Sequence, residues 1–89
     1  MKAVVSVIGK DAVGILAKVS TKCAEFNVNV DDVTQTVMQD IFTMIMMTDT
    51  TNCSVDFNAF SDELKKLGVE MGMKIDVMHE DIFNSMHRI

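Results

Sequence analysis

The sequence alternates between two hydrophobic periodicities, and the order of these segments restricts the fold more than any other feature. Apolar and β-branched residues that alternate between two faces predict four strands, at residues 2–9, 29–38, 41–48 and 73–78. Apolar residues at three- and four-residue spacing predict two amphipathic helices, one after the first strand and one after the third. The predicted order is therefore strand, helix, strand, strand, helix, strand.

The first helix is predicted to begin at Asp11, a residue type suited to the N-cap, and to run for about fourteen residues. Its apolar stripe consists of Ile15, Leu16, Val19, Cys23 and Phe26. The second helix is predicted to follow a cap at Asn52 or Ser54 and to end at Gly72, with Gly68 tolerated inside it. Its apolar stripe consists of Phe57, Phe60, Leu64, Leu67 and Met71.

The connections between the strands decide the topology. A two-residue turn at Gln39 and Asp40 is predicted to join the second and third strands into a hairpin. Right-handed crossovers then place the strands in the order 4-1-3-2, with the first and third strands central. Those two strands are apolar on both faces, which agrees with central positions. The sequence therefore predicts an α+β protein, a ferredoxin-like βαββαβ sandwich with an antiparallel four-stranded sheet and two helices on one face.

Residues 80–89 predict a short C-terminal helix behind a possible cap at Asp81. Its apolar residues are Ile82, Phe83, Met86 and Ile89. A helix this short is not stable alone in water, so we expect the tail to dock on the domain formed by residues 1–79 or on a partner copy. Because both longer helices share one face of the sheet, the other face exposes apolar side chains, and we expect a homodimer to cover it.

Charge and composition exclude several classes of partner. The 89 residues include 13 acidic and 8 basic side chains, and the net charge of −5 disfavours binding to nucleic acid or to an anionic membrane surface. No apolar run approaches the roughly 18–20 residues that cross a bilayer, and the N-terminal apolar stretch lacks a cleavage site. We therefore expect a cytoplasmic protein. Cys23 and Cys53 lack metal-site spacing and are expected to be reduced, with Cys23 buried.

The link between the first strand and the first helix is the segment most suggestive of a binding site. Gly9 and Gly14 let the backbone approach a ligand closely. The unpaired N–H groups of the first helical turn suit a carboxylate. Asp11 beside that turn could hold an ammonium group, so the segment matches a free α-amino acid. The alternative is that Asp11 only caps the helix and Gly14 only relieves crowding.

Other polar residues give weaker indications of chemistry. The spacing of Gly9 and Gly14 matches a phosphate-binding loop, but the Lys and Ser/Thr that such a loop needs are absent. Asp31 and Asp32 are expected to point to opposite faces of a strand, which disfavours paired acid–base chemistry. A group near the C-terminus fits no tight metal motif: His79, Glu80, Asp81 and His87. We expect no catalytic residue, no metal and no cofactor, and a protein that is not an enzyme.

The pattern Gly-Lys-Asp-x-Val-Gly-Ile, followed by a helix and then by Asn-Val-Asn-Val, resembles the ACT domain, a small regulatory module that binds amino acids. The resemblance covers residues 2–78. The segments TVMQDIFTMIMM at 36–47 and HEDIFNSMHRI at 79–89 are similar to the small stand-alone ACT proteins of the UPF0237 group, relatives of the glycine-cleavage repressor-like ACT proteins.

In ACT domains of the serine-feedback kind, as in phosphoglycerate dehydrogenase, the ligand lies at a dimer interface. The resemblance implies that Asp11 and Asn29 contact the ligand and that Gly9 and Gly14 supply backbone groups. Many members have Pro at the position of Val13 and Asn at that of Asp11. The whole candidate ligand-binding set is Gly9, Lys10, Asp11, Ala12, Val13, Gly14, Ile15, Asn27 and Asn29.

The resemblance implies a non-catalytic domain that senses a free amino acid at a homodimer interface and regulates a metabolic enzyme or a transcription-related partner protein. The alternative is a ligand-free protein–protein interaction module that uses the sheet face and the C-terminal tail. An RNA-binding module of this fold would need aromatic residues on the first and third strands, but the first has none and the third offers only Phe42. An acylphosphatase-like enzyme would need an arginine in the first loop, but the only arginine is Arg88.

Overall fold

The computed structural model describes residues 1–10 and 13–86 of the chain. The elements in these residues are β1 (Lys2–Gly9), α1 (Ile15–Glu25), β2 (Asn29–Met38), β3 (Ile41–Asp49), α2 (Phe57–Met71), β4 (Lys74–His79) and α3 (Glu80–Met86). The four strands form one antiparallel sheet in the order β2-β3-β1-β4. The predicted ferredoxin-like fold and the predicted strand order are therefore confirmed.

One face of the sheet, which we call the covered face, packs against α1 and α2. Every second residue of a strand points to this face. The strand residues buried there are Ala3, Val5, Val7, Phe42, Met44, Met46, Ile75 and Val77. They form one cluster with the buried helix residues Ile15, Val19, Cys23, Phe60 and Leu64. The hydrophobic core of the protein thus lies between the covered face and the two longer helices.

The opposite face of the sheet, which we call the open face, carries the strand residues that alternate with the core. On β1 and β3 these residues are Val4, Ser6, Ile8, Ile41, Thr43, Ile45 and Met47. Helix α3 contacts β1 and β4, and Val4 is only 1% exposed although it lies outside the core cluster. We infer that α3 lies on the open face above Val4. In residues 1–10 and 13–86, no helix has the length and apolar character needed to cross a membrane.

Helix α1 begins later than predicted. Its first residue is Ile15 and its N-cap is Gly14, so the helix has 11 residues and the prediction of a start at Asp11 is wrong. Gly14 has φ 73°, in the left-handed region, and this residue separates the loop from the helix. Leu16 is 37% exposed, so it does not belong to the buried stripe. Helical geometry turns adjacent residues by about 100°, so only one of Ile15 and Leu16 can face the core.

Helix α2 also has a different N-cap from those predicted. Asp56, directly before the apolar stripe, accepts a hydrogen bond at 2.7 Å from a backbone N–H three residues further on. Asn52 and Ser54 lie upstream, too far from the first turn to cap it. The end of the helix at Gly72, with Gly68 inside α2, is as predicted.

Candidate functional site

The loop between β1 and α1 presents the start of a helix whose N-cap has no side chain. The φ of 73° at Gly14 is a conformation that residues with a Cβ rarely adopt. Gly14 itself offers no side chain to these N–H groups, and N–H groups at the start of a helix are suited to bind an anion. The first intrahelical hydrogen bond runs from the Lys18 N–H to the Gly14 carbonyl at 3.0 Å. The loop can therefore offer backbone donors to a carboxylate.

The predicted loop residues divide into anchors and exposed positions. Ile15 is 1% exposed and belongs to the core, so its side chain anchors the helix start and only its backbone can serve a ligand. Val13 is 86% exposed. Asp11 and Ala12, the other central members of the predicted set, lie outside the described residues.

Gly9 and Lys10 lie where β1 leaves the sheet. A Cβ added at Gly9 would lie 2.0 Å from Sδ of Met73 and 2.8 Å from its Cε. Glycine at this position therefore has a packing role, because the Met73 side chain occupies the space beside its Cα. Lys10 is exposed, and its Nζ lies 3.9 Å from a carboxylate oxygen of Asp40 in the β2–β3 turn.

Asn27 and Asn29 lie on either side of Val28, between α1 and β2. Asn27 has φ 59°, in the left-handed region that asparagine tolerates better than most residues. Its Nδ2 donates to the backbone carbonyl of Asn52 at 3.0 Å. A cleft of about 300 Å³ opens here and is lined by Ala24, Asn27, Val28, Asn29 and Asn52.

Asn29 also belongs to a polar cluster on the open face that the sequence did not predict. Its Nδ2 donates to Oδ1 of Asp31 at 2.7 Å. Lys2 Nζ binds the other oxygen, Oδ2, of the same carboxylate. Asp49 lies 3.8 Å from Lys2 Nζ and accepts a hydrogen bond from the Thr51 N–H at 3.0 Å. Both amide and ammonium donors therefore converge on the Asp31 carboxylate.

The charges of this cluster shift its acid–base equilibria. Hydrogen bonds from Lys2 and from Asn29 lower the pKa of the Asp31 carboxyl. Hydrogen bonds from the hydroxyl and the N–H of Thr51 lower the pKa of Asp49. The hydrogen bond to Asp31 raises the pKa of Lys2. Each of these shifts favours the charged form of its group.

A β-bulge in β2 creates this cluster. The register between β2 and β3 shifts between Val30 and Asp32, and Asp31 is the extra residue. Asp32 pairs with Met47, which lies on the open face, and Asp31 reaches Lys2 on that same face. The expectation that Asp31 and Asp32 point to opposite faces is therefore wrong, because a bulge interrupts strand alternation. The two-residue spacing of Asn29 and Asp31 is the only sequence signal that could have indicated their contact.

The two groups of predicted ligand residues lie at opposite ends of the sheet. Asn29 pairs with Asp49, which pairs with Lys2 at the start of β1. Gly9 pairs with Phe42 at the other end of β1. A strand of 8 residues spans about 23 Å between its first and last Cα atoms. One protomer therefore does not bring the β1–α1 loop and Asn29 together.

The loose C-terminal group of possible metal ligands does not converge among the described residues. The ring of His79 stacks on that of Phe57, with 4.4 Å between centroids and 21° between planes. This contact holds His79 toward the covered face. Residues 1–10 and 13–86 contain no group of three or more side chains placed to hold a metal ion. His87 lies outside the described residues.

The chain is similar to known proteins over its whole length. The ACT domain profile matches residues 2–78. A UPF0237 protein of Methanocaldococcus jannaschii is 50% identical over 88 residues, which cover 99% of this chain and 98% of that protein. A UPF0237 protein of Clostridium acetobutylicum is 48% identical over 89 residues and is covered completely.

The solved structures include a similar chain. An ACT domain protein from Streptococcus pneumoniae superposes with a TM-score of 0.82 and 38% sequence identity, and the match covers 93% of each chain. The resemblance inferred from the loop and the tail is thus confirmed. The chain belongs to the ACT domain family and, within it, to the UPF0237 group of small proteins.

Proposed function

We propose that the protein is a non-catalytic regulatory domain that binds a free α-amino acid between two copies of the chain and signals its presence to a metabolic enzyme or a transcription-related partner. The observation that carries this proposal is the start of α1. Its N-cap is a left-handed glycine, so the first-turn N–H groups remain suited to a carboxylate. Membership of the ACT domain family supports the regulatory role.

The carboxylate and the ammonium group of the proposed amino-acid ligand contact different parts of the site. The carboxylate of the amino acid accepts hydrogen bonds from the backbone N–H groups at the start of α1, after Gly14. The ammonium group is held by the carboxylate of Asp11 and by an oxygen acceptor on Asn29. An ionised carboxylate can only accept hydrogen bonds, so Asp31 fixes the Asn29 amide with its nitrogen toward Asp31. The amide oxygen of Asn29 is then the atom that accepts from an ammonium group.

The proposed site needs two copies of the chain. The loop that contains Asp11 and the strand start that contains Asn29 lie at opposite ends of β1. A two-fold dimer in which the protomers run head to tail brings each loop to the Asn29 of the other copy. Ligand binding then stabilises the dimer, and by linkage the dimer or a docked partner tightens the ligand.

The experiment that tests this function is calorimetric titration of the protein with each of the twenty amino acids. We expect one or a few to bind with a dissociation constant below about 1 mM. Asp11→Ala and Asn29→Ala should each remove the binding. Asp62→Ala and Asn58→Ala, which change the same residue types at exposed positions of α2, are matched controls and should bind as the wild type does. Absence of binding by all twenty, or unchanged affinity in Asp11→Ala, contradicts the proposal.

A ligand-free interaction module is the second candidate, and the exposed apolar side chains of the open face favour it. Ile8 and Ile41 are both 46% exposed there. Removal of residues 80–89 separates the two functions. An amino-acid sensor binds a ligand in the full chain, whereas an interaction module loses its partner when the tail is removed and binds no amino acid in either form.

A further inference from the structure

The two free thiols of the chain lie at the C-terminal end of α1. Cys23 is fully buried in the last turn of that helix, and Cys53 is half-buried in the connection between β3 and α2. Cys23 belongs to the core cluster, and the side chain of Cys53 packs against the same cluster. The two cysteines are far apart in the chain, so the fold alone brings them to one part of the core.

Hydrogen bonds on both sides of Cys53 hold its segment against the end of α1. On one side, the N–H of Ser54 donates to the backbone carbonyl of Phe26 at 2.9 Å. On the other side, the side-chain amide of Asn27 donates to the backbone carbonyl of Asn52 at 3.0 Å. The segment that carries Cys53 is thus attached to the residues that directly follow α1.

Those residues are in turn attached to Cys23. The backbone carbonyl of Cys23 accepts hydrogen bonds from the N–H of Phe26 at 3.1 Å and from that of Val28 at 2.9 Å. Cys53 also contributes to the raised pKa of Cys23, an electrostatic effect that requires the two groups to be near each other. The shared core cluster, the chain of hydrogen bonds and this interaction together place the two thiols close to one another.

We propose that Cys23 and Cys53 are a redox pair that closes an intrachain disulfide when the protein meets a low-molecular-weight disulfide such as oxidised glutathione. The thiolate of Cys53 attacks one sulfur of the reagent, forms a mixed disulfide and expels a thiolate, which takes up a proton. Cys23 then gives up its proton, and its thiolate attacks the sulfur of Cys53 and expels the second thiol. The protein loses two hydrogen atoms, and the reagent gains them as two thiols.

Exposure and acidity determine the order of the two steps. Cys53 is half-buried and accessible to a reagent, whereas Cys23 is 0% exposed and is accessible only to a sulfur already inside the fold. Burial raises the pKa of Cys23 to about 11, so few of these thiols are ionised at neutral pH and the second step is the slower one. We therefore expect the mixed disulfide on Cys53 to accumulate before the pair closes.

The disulfide would act on the cleft beside Asn29. Asn52, directly before Cys53, lines that cleft together with Asn27 and Asn29. A covalent bond between Cys53 and α1 would fix one wall of the cleft against the helix. The redox pair does not depend on the proposed function, because it closes whether or not an amino acid binds.

Reaction of the folded full chain with excess oxidised glutathione at about pH 8 tests the proposal. Intact mass spectrometry should show a transient gain of one glutathionyl group and then a final mass lower than that of the reduced chain by two hydrogen atoms. After denaturation the product should take up no iodoacetamide, and peptide mapping should find the Cys23 peptide joined to the Cys53 peptide. Dithiothreitol should restore the reduced mass.

Matched variants assign the two steps. Cys23→Ala should stop at a persistent mixed disulfide, and Cys53→Ala should remain unmodified because Cys23 is inaccessible. Circular dichroism shows whether each variant is folded, and the peptide map of the wild type decides the question if a variant is not. The oxidised wild type should melt at or above the temperature of the reduced protein, because the bond restricts the unfolded chain.

Four results would overturn the proposal. The wild type could stop at the mixed disulfide, stay unmodified, or join Cys53 to the Cys53 of a second chain. An oxidised form that melts below the reduced form would show that the native fold does not accommodate the bond.

Discussion

The two faces of the sheet differ in how far their apolar side chains are shielded from solvent. The covered face buries its apolar side chains under helices of the same chain, and its core residues are at most 9% exposed to solvent. The open face has only α3, and large apolar side chains at its other end remain nearly half exposed. The covered face therefore supplies the hydrophobic core, and we propose that the protein binds its ligand or partner at the open face and at the ends of the sheet.

The largest expected effect is on the covered face. Phe60 is fully buried in the core and its ring meets that of Phe26 edge-on, with centroids 6.1 Å apart. Phe60→Ala should lower the free energy of unfolding by about 3–5 kcal/mol, because it removes a large buried side chain and leaves a cavity. Urea denaturation followed by circular dichroism measures this loss. Val69→Ala, at an exposed site, should stay within about 0.5 kcal/mol of the wild type. Similar losses of unfolding free energy in Phe60→Ala and Val69→Ala would contradict the prediction that the buried position contributes more to stability than the exposed one.

The close approach of α2 to β4 gives the next largest effect. A Cβ at Gly68 would lie 2.8 Å from the backbone oxygen of Met73 and 2.9 Å from Cγ1 of Ile75. Gly68→Ala should therefore lower the free energy of unfolding by about 1–2 kcal/mol, although alanine favours a helix elsewhere. Gly72→Ala is a useful comparison, since that site has φ +69° but no atom within 4 Å of the added Cβ. An unchanged or higher stability of Gly68→Ala would show that the packing there is looser than the structure indicates.

The polar cluster on the open face should contribute a smaller, pH-dependent stabilisation. The folded-state pKa of Asp31 lies below its usual value of 3.8. Its contribution is therefore present above that value and is lost as the pH falls through the lower folded-state pKa. Lys2 behaves in the opposite sense, because its pKa is raised above 10.5 and its contribution disappears as the pH rises beyond that value.

The variant Asp31→Asn measures the pH-dependent stabilisation by the polar cluster, because it removes the Asp31 charge. The melting temperature of the wild type should fall more steeply than that of Asp31→Asn as the pH is lowered from about 5 to 2. At high salt the difference between the two proteins should shrink, because the groups are exposed and screened. Parallel pH profiles for both proteins would show that the cluster does not stabilise the fold.

The smallest effect expected concerns the two thiols. Burial raises the pKa of Cys23 to about 11, with a lesser contribution from Cys53. Cys23 is fully buried, whereas Cys53 is half-buried at the edge of the core. Iodoacetamide at about pH 8 should therefore modify Cys53 and leave Cys23 unmodified in the folded protein, because the thiolate is the reactive form. Intact mass spectrometry would show one adduct in the native state and two after denaturation. Two adducts under native conditions would contradict the burial of Cys23.

The sequence predicts the covered face well because its signals are local. Apolar spacing places Phe60 and Leu64 in the core, and right-handed crossovers order the strands. The stop at Gly72 follows from a single residue with a positive φ. Each of these features depends on residues within a few positions of one another or on a general rule of chain handedness.

The polar cluster and the end of the ligand loop depend on contacts between distant segments. The bulge at Asp31 changes the face of one side chain, and its partner Lys2 is 29 positions away in the chain. The start of α1 at Ile15 rather than Asp11 is set by the left-handed Gly14 and by burial of Ile15. The periodicity of apolar residues predicts neither the bulge at Asp31 nor the start of α1 at Ile15. One extra residue in a strand, or one turn fewer in a helix, leaves the apolar pattern nearly unchanged.

The central claim, that two copies share one amino-acid site, is tested most directly by mixing two inactive variants. Asp11→Ala and Asn29→Ala should each fail to bind in titration calorimetry. In a mixed dimer, one of the two sites combines the intact loop of the Asn29→Ala chain with the intact Asn29 of the Asp11→Ala chain. The other site carries both substitutions. An equal mixture, after subunit exchange, should recover about a quarter of the wild-type sites, from the statistics of a two-fold dimer. No recovery in the exchanged mixture, or full binding by either variant alone, would contradict the account.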